Sequence, residues 1–317
     1  MTALPVTRAA DLATKPAARR WLVEQLWADE AVGIVGGEPK CCKSFLALDL
    51  AVAVASGTPC VRRFAVARTG RVLLFAAEDA LHVVRQRLAG IALAAGCALG
   101  DLDIQVITAP SVRLDVERDR DALTETVDKL RPRLLVLDPF VRLHRIDENV
   151  SGEVAPLLAY LRELQRRYHA AVVLVHHARK GGARMRAGQA LRGSSEFHAW
   201  GDSNLYLRRH GDHLALSVEH RAAAAITAVS LELAVDGDAI ALAAVDRTSA
   251  SLVQPVPAPT ALAEKVEAQL AAADAPLTAV AIRKLCRVRT ATLTSTLNEL
   301  VAAGRVRKDA AGYVISR

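Results

Sequence analysis

Short, nearly unbroken apolar runs alternate with amphipathic stretches through most of the chain. The runs are Ala31–Val35, Arg71–Ala76, Ile104–Thr108, Leu134–Leu137 and Ala171–Val175. Between them lie Lys43–Ser56, Leu81–Ala95, Arg118–Leu130 and Glu153–Tyr168, where apolar positions recur at helical spacing. Strands that are apolar on both sides, separated by helices, predict a mostly parallel sheet covered on both faces. Beyond Asp202 the pattern changes to alternation punctuated by turn signals at His210-Gly-Asp212 and Asp236-Gly-Asp238, which predict antiparallel hairpins added at one edge.

At Gln254–Thr260 three prolines occupy every second position, a sequence that continues neither a helix nor a central strand and predicts a stiff linker. The segment behind it predicts helices at Leu262–Ala273, Thr278–Leu285 and Arg289–Ala303, then short strands at Arg305–Lys308 and Gly312–Ser316. The expected division is an α/β domain over 1–253 with roughly its first 20 residues as an arm, a linker over 254–260, and a small domain over 261–317.

Composition narrows the class. The chain has 317 residues, a formal net charge of +7 and 52% apolar residues, but only 4% aromatics, so its core rests on Ala, Leu and Val. That apolar fraction excludes global disorder. The greasiest stretch, Phe45–Ala55, is interrupted by Asp49 and is too short to span a bilayer, so no membrane partner is expected. The N-terminus lacks the basic start and apolar block of a secretory signal, and five cysteines follow no disulfide or metal spacing. A reducing, cytoplasmic setting is expected. The basic balance is compatible with nucleic acid without requiring it.

The first apolar run leads into Gly36-Gly-Glu-Pro-Lys-Cys-Cys-Lys-Ser44 and straight on into a helix. A strand, a tight loop and Lys-Ser opening a helix is the phosphate-loop arrangement, in which backbone N–H groups and the helix N-terminus gather around an anion. Gly37, Glu38, Pro39, Lys40, Cys41, Cys42 and Phe45 would line a bound ATP, Lys43 would reach its phosphates, and the Ser44 hydroxyl would ligate Mg²⁺. Cys42 stands where the pattern G-x-x-x-x-G-K-S/T has its second glycine, a departure that costs on the order of 1 kcal/mol if a left-handed backbone is needed there and that exposes a thiol near a helix N-terminus to oxidation. On its residues alone the segment is either a phosphate loop or a Gly/Pro turn before an ordinary helix. Asp138 ends a parallel strand, where such sheets bind ligands, and is either a metal-site carboxylate or a cap. Glu78 and Asp79 follow another strand, as a general base or as first-turn acids. His176 and His177 end a third: a phosphate sensor, with one of the two simply packed inside.

Taken in order, the phosphate loop, Ala77-Glu-Asp79 with Arg87, Asp138 through His144 to Asp147-Glu-Asn149 and Ser151-Gly152, His176-His177 with Lys180-Gly181, and Arg192-Gly-Ser-Ser195 resemble the RecA-like ATPases of the RepA type, the small hexameric replicative helicases. The resemblance spans about residues 20–220. It implies a RecA-like P-loop core with ATP and Mg²⁺ as cofactors, Lys43 and Ser44 at the phosphates, and Asp138 as acidic partner of the metal. It further implies Glu78 as catalytic base and His177 as γ-phosphate sensor, with Arg87 as an added ATP contact. Arg192 becomes an arginine finger reaching a neighbouring subunit's nucleotide, a group worth roughly 10³–10⁵ in rate in related phosphoryl-transfer enzymes. The family assembles as a hexameric ring acting in DNA replication.

Between His177 and Arg192 the sequence is basic and free of acids. In ring-forming motors of this fold such a segment grips single-stranded DNA in the central channel, which would be the role of Arg179, Lys180, Arg184 and Arg186. The three helices and terminal hairpin after the linker resemble a winged helix-turn-helix, which would bring Arg289, Arg305 and Arg307 to duplex DNA. That extension lies outside the helicase core pattern. It leaves a second reading open: a DNA-binding regulator or recombination mediator whose nucleotide domain is a switch or an oligomerisation scaffold.

Overall fold

The computed structural model describes residues 4–12, 20–177, 196–210, 213–224, 226–245, 261–273, 275–286, 293, 296–297, 300–301, 304–309 and 312–315. The chain divides into two units, Met1–Asp246 and Arg247–Arg317.

The first unit opens with a small hairpin, β1 (Trp21–Val23) and β2 (Trp27–Ala28), which the sequence pattern did not announce. It continues as β3 (Val32–Gly37), α1 (Lys43–Ser56), β4 (Val72–Ala76), α2 (Leu81–Ala94), β5 (Ile104–Val106), α3 (Glu117–Leu130), β6 (Leu134–Asp138), α4 (Ser151–Tyr168), β7 (Ala171–His177) and α5 (Glu196–Trp200). Four further strands follow: β8 (Ser203–His210), β9 (His213–His220), β10 (Ile226–Asp236) and β11 (Ala239–Val245). Among the described residues nine of these strands form one sheet in the order β11-β10-β9-β8-β3-β7-β6-β4-β5. From β5 to β8 neighbouring strands are parallel, and from β8 to β11 they are antiparallel.

Strand alternation sorts the core into two layers. Val35, Leu74, Val136, Val173, Val175 and Leu207 face α1 and α2, whose Leu46, Leu50, Val84 and Leu88 are buried against them. Ile34, Phe75, Leu135, Leu137, Val172 and Leu174 face the opposite layer, with Leu123 of α3, Leu157 and Leu161 of α4, and Phe197 and Trp200 of α5. The strands are apolar throughout because each contributes to both layers.

One boundary differs from expectation in a way that matters. Gly36 and Gly37, read from sequence as the start of a loop, are the last residues of β3, paired with His176 and His177 on one side and with Tyr206 and Leu207 on the other. Along β3, Gly33 and Gly37 leave no room for a larger residue beside β8. A Cβ on Gly37 would lie 2.4 Å from the Leu207 carbonyl oxygen, and one on Gly33 would lie 1.6 Å from that of Ser203.

The second unit has its own core. α6 (Ala261–Ala271) and α7 (Ala279–Cys286) bury Val266, Leu270 and Ile282 together with Leu293, Leu297, Leu300 and Val306. β12 (Val306–Lys308) and β13 (Tyr313–Ile315) pair antiparallel, and Leu277 bridges to Tyr313. Residues 293, 296–297 and 300–301 are helical, whereas Arg289 and most other residues of the expected third helix lie outside the described set. Among the described residues no helix is long and apolar enough to cross a membrane.

Candidate functional site

The carboxyl ends of β3, β4, β6 and β7 lie side by side, with Ala76 opposite Asp138 and Gly37 opposite His177. Alternation decides what they present there. Asp138 continues the parity of Leu134 and Val136, and His177 that of Val173 and Val175, so both emerge on the α1 side of the sheet. Here a cleft of about 330 Å³ is lined by Lys40 through Phe45, Ala76, Glu78, Asp79, Arg87, Asp138, Val175 and His177. His176, one residue earlier, is buried in the opposite layer.

The loop between β3 and α1 takes a conformation that suits an anion. Lys40 and Cys42 both have left-handed backbone, with φ of 65° and 63°, and left-handed residues between ordinary ones gather successive N–H groups into a concave nest. Cys42 is the N-cap residue of α1, so the helix N-terminus opens into the same cleft. The Lys43 ammonium is buried there and donates to the Glu38 carbonyl at 2.8 Å, as does the Cys41 thiol. Burial lowers the pKa of Lys43 and raises that of Cys41. Arg209 of β8 closes the loop from the side, donating from Nη2 to the Lys40 carbonyl at 3.1 Å with Cys42 Sγ at 4.0 Å.

Opposite the loop stand the acids. Burial pushes the Asp138 carboxyl up to about 6; the nearby charges of Asp79 and Glu78 act in the same sense, and the Ser44 hydroxyl bonded to it acts against. Ser44 and Asp138 together offer hard oxygen donors. Mg²⁺ keeps several waters and takes one or two protein oxygens plus substrate phosphates, so this pair fits it. A full cage of three or more His, Cys, Asp or Glu ligands, which Mg²⁺ does not need, is absent among the described residues. Glu78 is half exposed and ion-paired with Arg142 Nε at 3.0 Å. Asp79 pairs with Arg87, whose guanidinium also lies over the Phe45 ring at 5.4 Å from its centroid.

Thus Lys43, Ser44, Glu78, Arg87, Asp138 and His177 meet in one place with the loop residues from Lys40 to Phe45. Gly37 lies beneath them in β3, and Glu38 is joined to them through its carbonyl. Arg192, Arg179, Lys180, Arg184, Arg186 and Arg289 lie outside the described residues. Arg305 is engaged by Glu267 at 2.5 Å, while Arg307 is exposed on β12. Sequence reading missed Arg209 and Arg142. The first had a signal, since Leu205, Leu207 and Arg209 alternate onto the α1 side; the second had none.

Residues 2–183, more than half of the chain, match the AAA domain family. Solved structures share the architecture at low identity. One of them, an isolated ATPase domain, is 14% identical, with a TM-score of 0.53 over 68% of this chain and 86% of that one. The RadB recombinase is 16% identical, with a TM-score of 0.50 over 69% and 92%. A DnaB-like replicative helicase, solved with attention to its interactions with primase, is 14% identical with a TM-score of 0.52 over 67% and 57%. The chain belongs to the AAA domain family, and its cleft stands on a RecA-like P-loop ATPase fold.

Proposed function

We propose that the protein is an Mg²⁺-dependent, ATP-hydrolysing motor on single-stranded DNA, similar to the RepA-type helicases and working as a hexameric ring in replication. The observation that carries this reading is the convergence of Lys43, Ser44, Glu78, Asp138 and His177, from separate elements, on one cleft at the carboxyl ends of parallel strands. Structural neighbours that are themselves a replicative helicase and a recombinase add fold-level support.

In this reading the nest and Lys43 bind the phosphates, with the ammonium leaving the Glu38 carbonyl for the triphosphate. Ser44 and Asp138 would hold Mg²⁺, which would supply neutralisation of the charge on the phosphates. Glu78 leaves Arg142 to orient the attacking water and take its proton, and His177 reads the γ-position. Arg87 and Phe45 lie at the rim toward the nucleoside. Arg192 acts on a neighbouring subunit's nucleotide, and Arg179, Lys180, Arg184 and Arg186 grip the strand backbone. Residues 261–317, as a winged-helix-like domain after the 254–260 linker, meet duplex DNA through Arg289 and Arg307, with Arg305 reaching it only on release from Glu267. The setting is cytoplasmic.

Phosphate release by the wild type and Lys43→Ala, with and without single-stranded DNA, tests the reading. The wild type is expected to hydrolyse ATP faster with DNA, and Lys43→Ala to fall by at least about 10². Equal release by the two proteins refutes the site. A regulator that uses the cleft as a switch is favoured by Cys42 in place of the phosphate-loop glycine and by the extension behind the linker. Sequence-specific duplex binding with negligible hydrolysis supports that alternative, and strand displacement on a forked substrate eliminates it.

A further inference from the structure

His176 and His177 send their rings to opposite faces of the sheet. While His177 lines the cleft, the buried His176 ring stacks on Phe197 of α5, with centroids 4.3 Å apart and planes inclined by 22°. Phe140, two residues beyond Asp138, completes the cluster. Its ring lies 5.3 Å from Phe197, edge-on, 6.1 Å from His176, and 4.4 Å from His144. The buried His144 in turn faces Glu148 at 3.3 Å.

This cluster backs the ends of the two strands that deliver Asp138 and His177 to the cleft. It also joins points far apart along the chain, since His176 precedes residues 178–195 and Phe197 follows them. An aromatic pair contributes about 0.5–1.5 kcal/mol beyond burial, and this one is placed at the end of β7, directly beside the residue that lines the cleft. The arrangement points to a demand on position.

We propose that His176 and Phe197 are positioning residues, whose stack fixes the end of β7 so that His177, paired with Gly37 of β3, stands over the cleft. The proposal rests on the ATPase reading of that cleft. Phosphate affinity comes from the β3–α1 loop, on the other face of the sheet from the cluster, so the stack governs turnover rather than binding. Displacing a reacting group by about 1 Å costs up to about 10² in rate.

The test measures kcat and KM for ATP, and Mg·ATP affinity by calorimetry, on full-length wild type, His176→Ala, His176→Phe, His177→Ala and the double variant with Ala at both positions. His176→Ala is expected to lower kcat about tenfold while Kd stays within about twofold, and His176→Phe, which keeps a flat ring, to retain most of the turnover. Because the two residues act through one contact to the nucleotide, the double variant is expected to be no slower than His177→Ala alone. If His176→Ala does not fold, Phe197→Leu, which keeps apolar volume but lacks a stacking face, carries the same expectation. A lower Tm with wild-type kcat, or losses that add fully in the double variant, would show a merely structural role and overturn the proposal. Wild-type turnover by His177→Ala would instead overturn the sensor assignment beneath it.

Discussion

At the scale of the residue, two side chains sit in conditions opposite to their solution preference. Asp138 is buried among other acids, and its carboxyl is pushed up to about 6. A folded-state value above the unfolded one means the native protein holds that proton more tightly. Its contribution to stability is therefore full below the unfolded carboxylate range and is lost as pH rises through about 6. Metal binding asks for the opposite form. Lowering the pH through about 6 is thus expected to weaken Mg·ATP binding, read by calorimetry, while raising the Tm of the nucleotide-free protein relative to Asp138→Asn, in which this titration is absent. Cys42 is the second case, held at φ 63° and ψ 28°. A left-handed backbone costs an L-residue roughly 1–2 kcal/mol, and glycine gives back about 0.5–1 kcal/mol through its greater unfolded-state freedom. The balance favours Cys42→Gly by about 0.5 kcal/mol. A urea midpoint that rises slightly, with Mg·ATP bound at least as tightly, is the expected result; a lower midpoint would mean that the thiol's contacts outweigh the strain.

At the scale of the element, β3 determines the geometry. It lies between β7 and β8, and its glycines let the Ser203 and Leu207 carbonyls approach within a distance no side chain tolerates. Gly33→Ala must push β8 away or distort β3, an overpacking of about 3 kcal/mol or more. A Tm lowered by several degrees, or insoluble protein, is expected, and wild-type thermal unfolding would show that β8 gives way freely. The same strands show what was legible in the sequence. The runs at Leu134–Leu137 and Ala171–Val175 and the Lys43-Ser44 helix start could be read directly, because buried parallel strands are nearly uniform in apolar content and a phosphate loop is local. Which of His176 and His177 faces the cleft was not legible in the strand's own pattern, and only the family resemblance pointed to His177. A strand buried on both sides has no polar alternation to mark its faces, so parity emerges only once Val173 and Val175 are seen against α1. The β1–β2 hairpin escaped because strands of three and two residues carry no periodicity, although its Trp27 is fully buried. Arg209 escaped although it alternates with Leu205 and Leu207, because its contact to Lys40 spans 169 positions of sequence.

At the scale of the whole molecule, the two units bury separate cores, since the apolar clusters of the first share no residue with that of the second. The described lining of the cleft comes from the first. Among the described residues of one copy, the cations at the cleft belong to its phosphate-binding segment or are already engaged. Lys40 and Lys43 are part of that segment, Arg87 is paired with Asp79, and Arg209 is bound to the Lys40 carbonyl. A finger supplied across a head-to-tail interface would add the cation that approaches the γ-phosphate from outside, and such interfaces close into rings when the rotation permits. This has a consequence that single variants cannot deliver. Lys43→Ala disables a subunit's own cleft but leaves its Arg192 intact, whereas Arg192→Ala does the reverse. Each is expected to be inactive alone. Mixed in equal amounts and allowed to exchange subunits, they regenerate about a quarter of their interfaces with an intact cleft facing an intact Arg192, so ATP hydrolysis should return to a comparable fraction of wild type. Recovery on mixing requires that Arg192 act across a subunit interface, because a finger acting within its own subunit would leave every mixture dead.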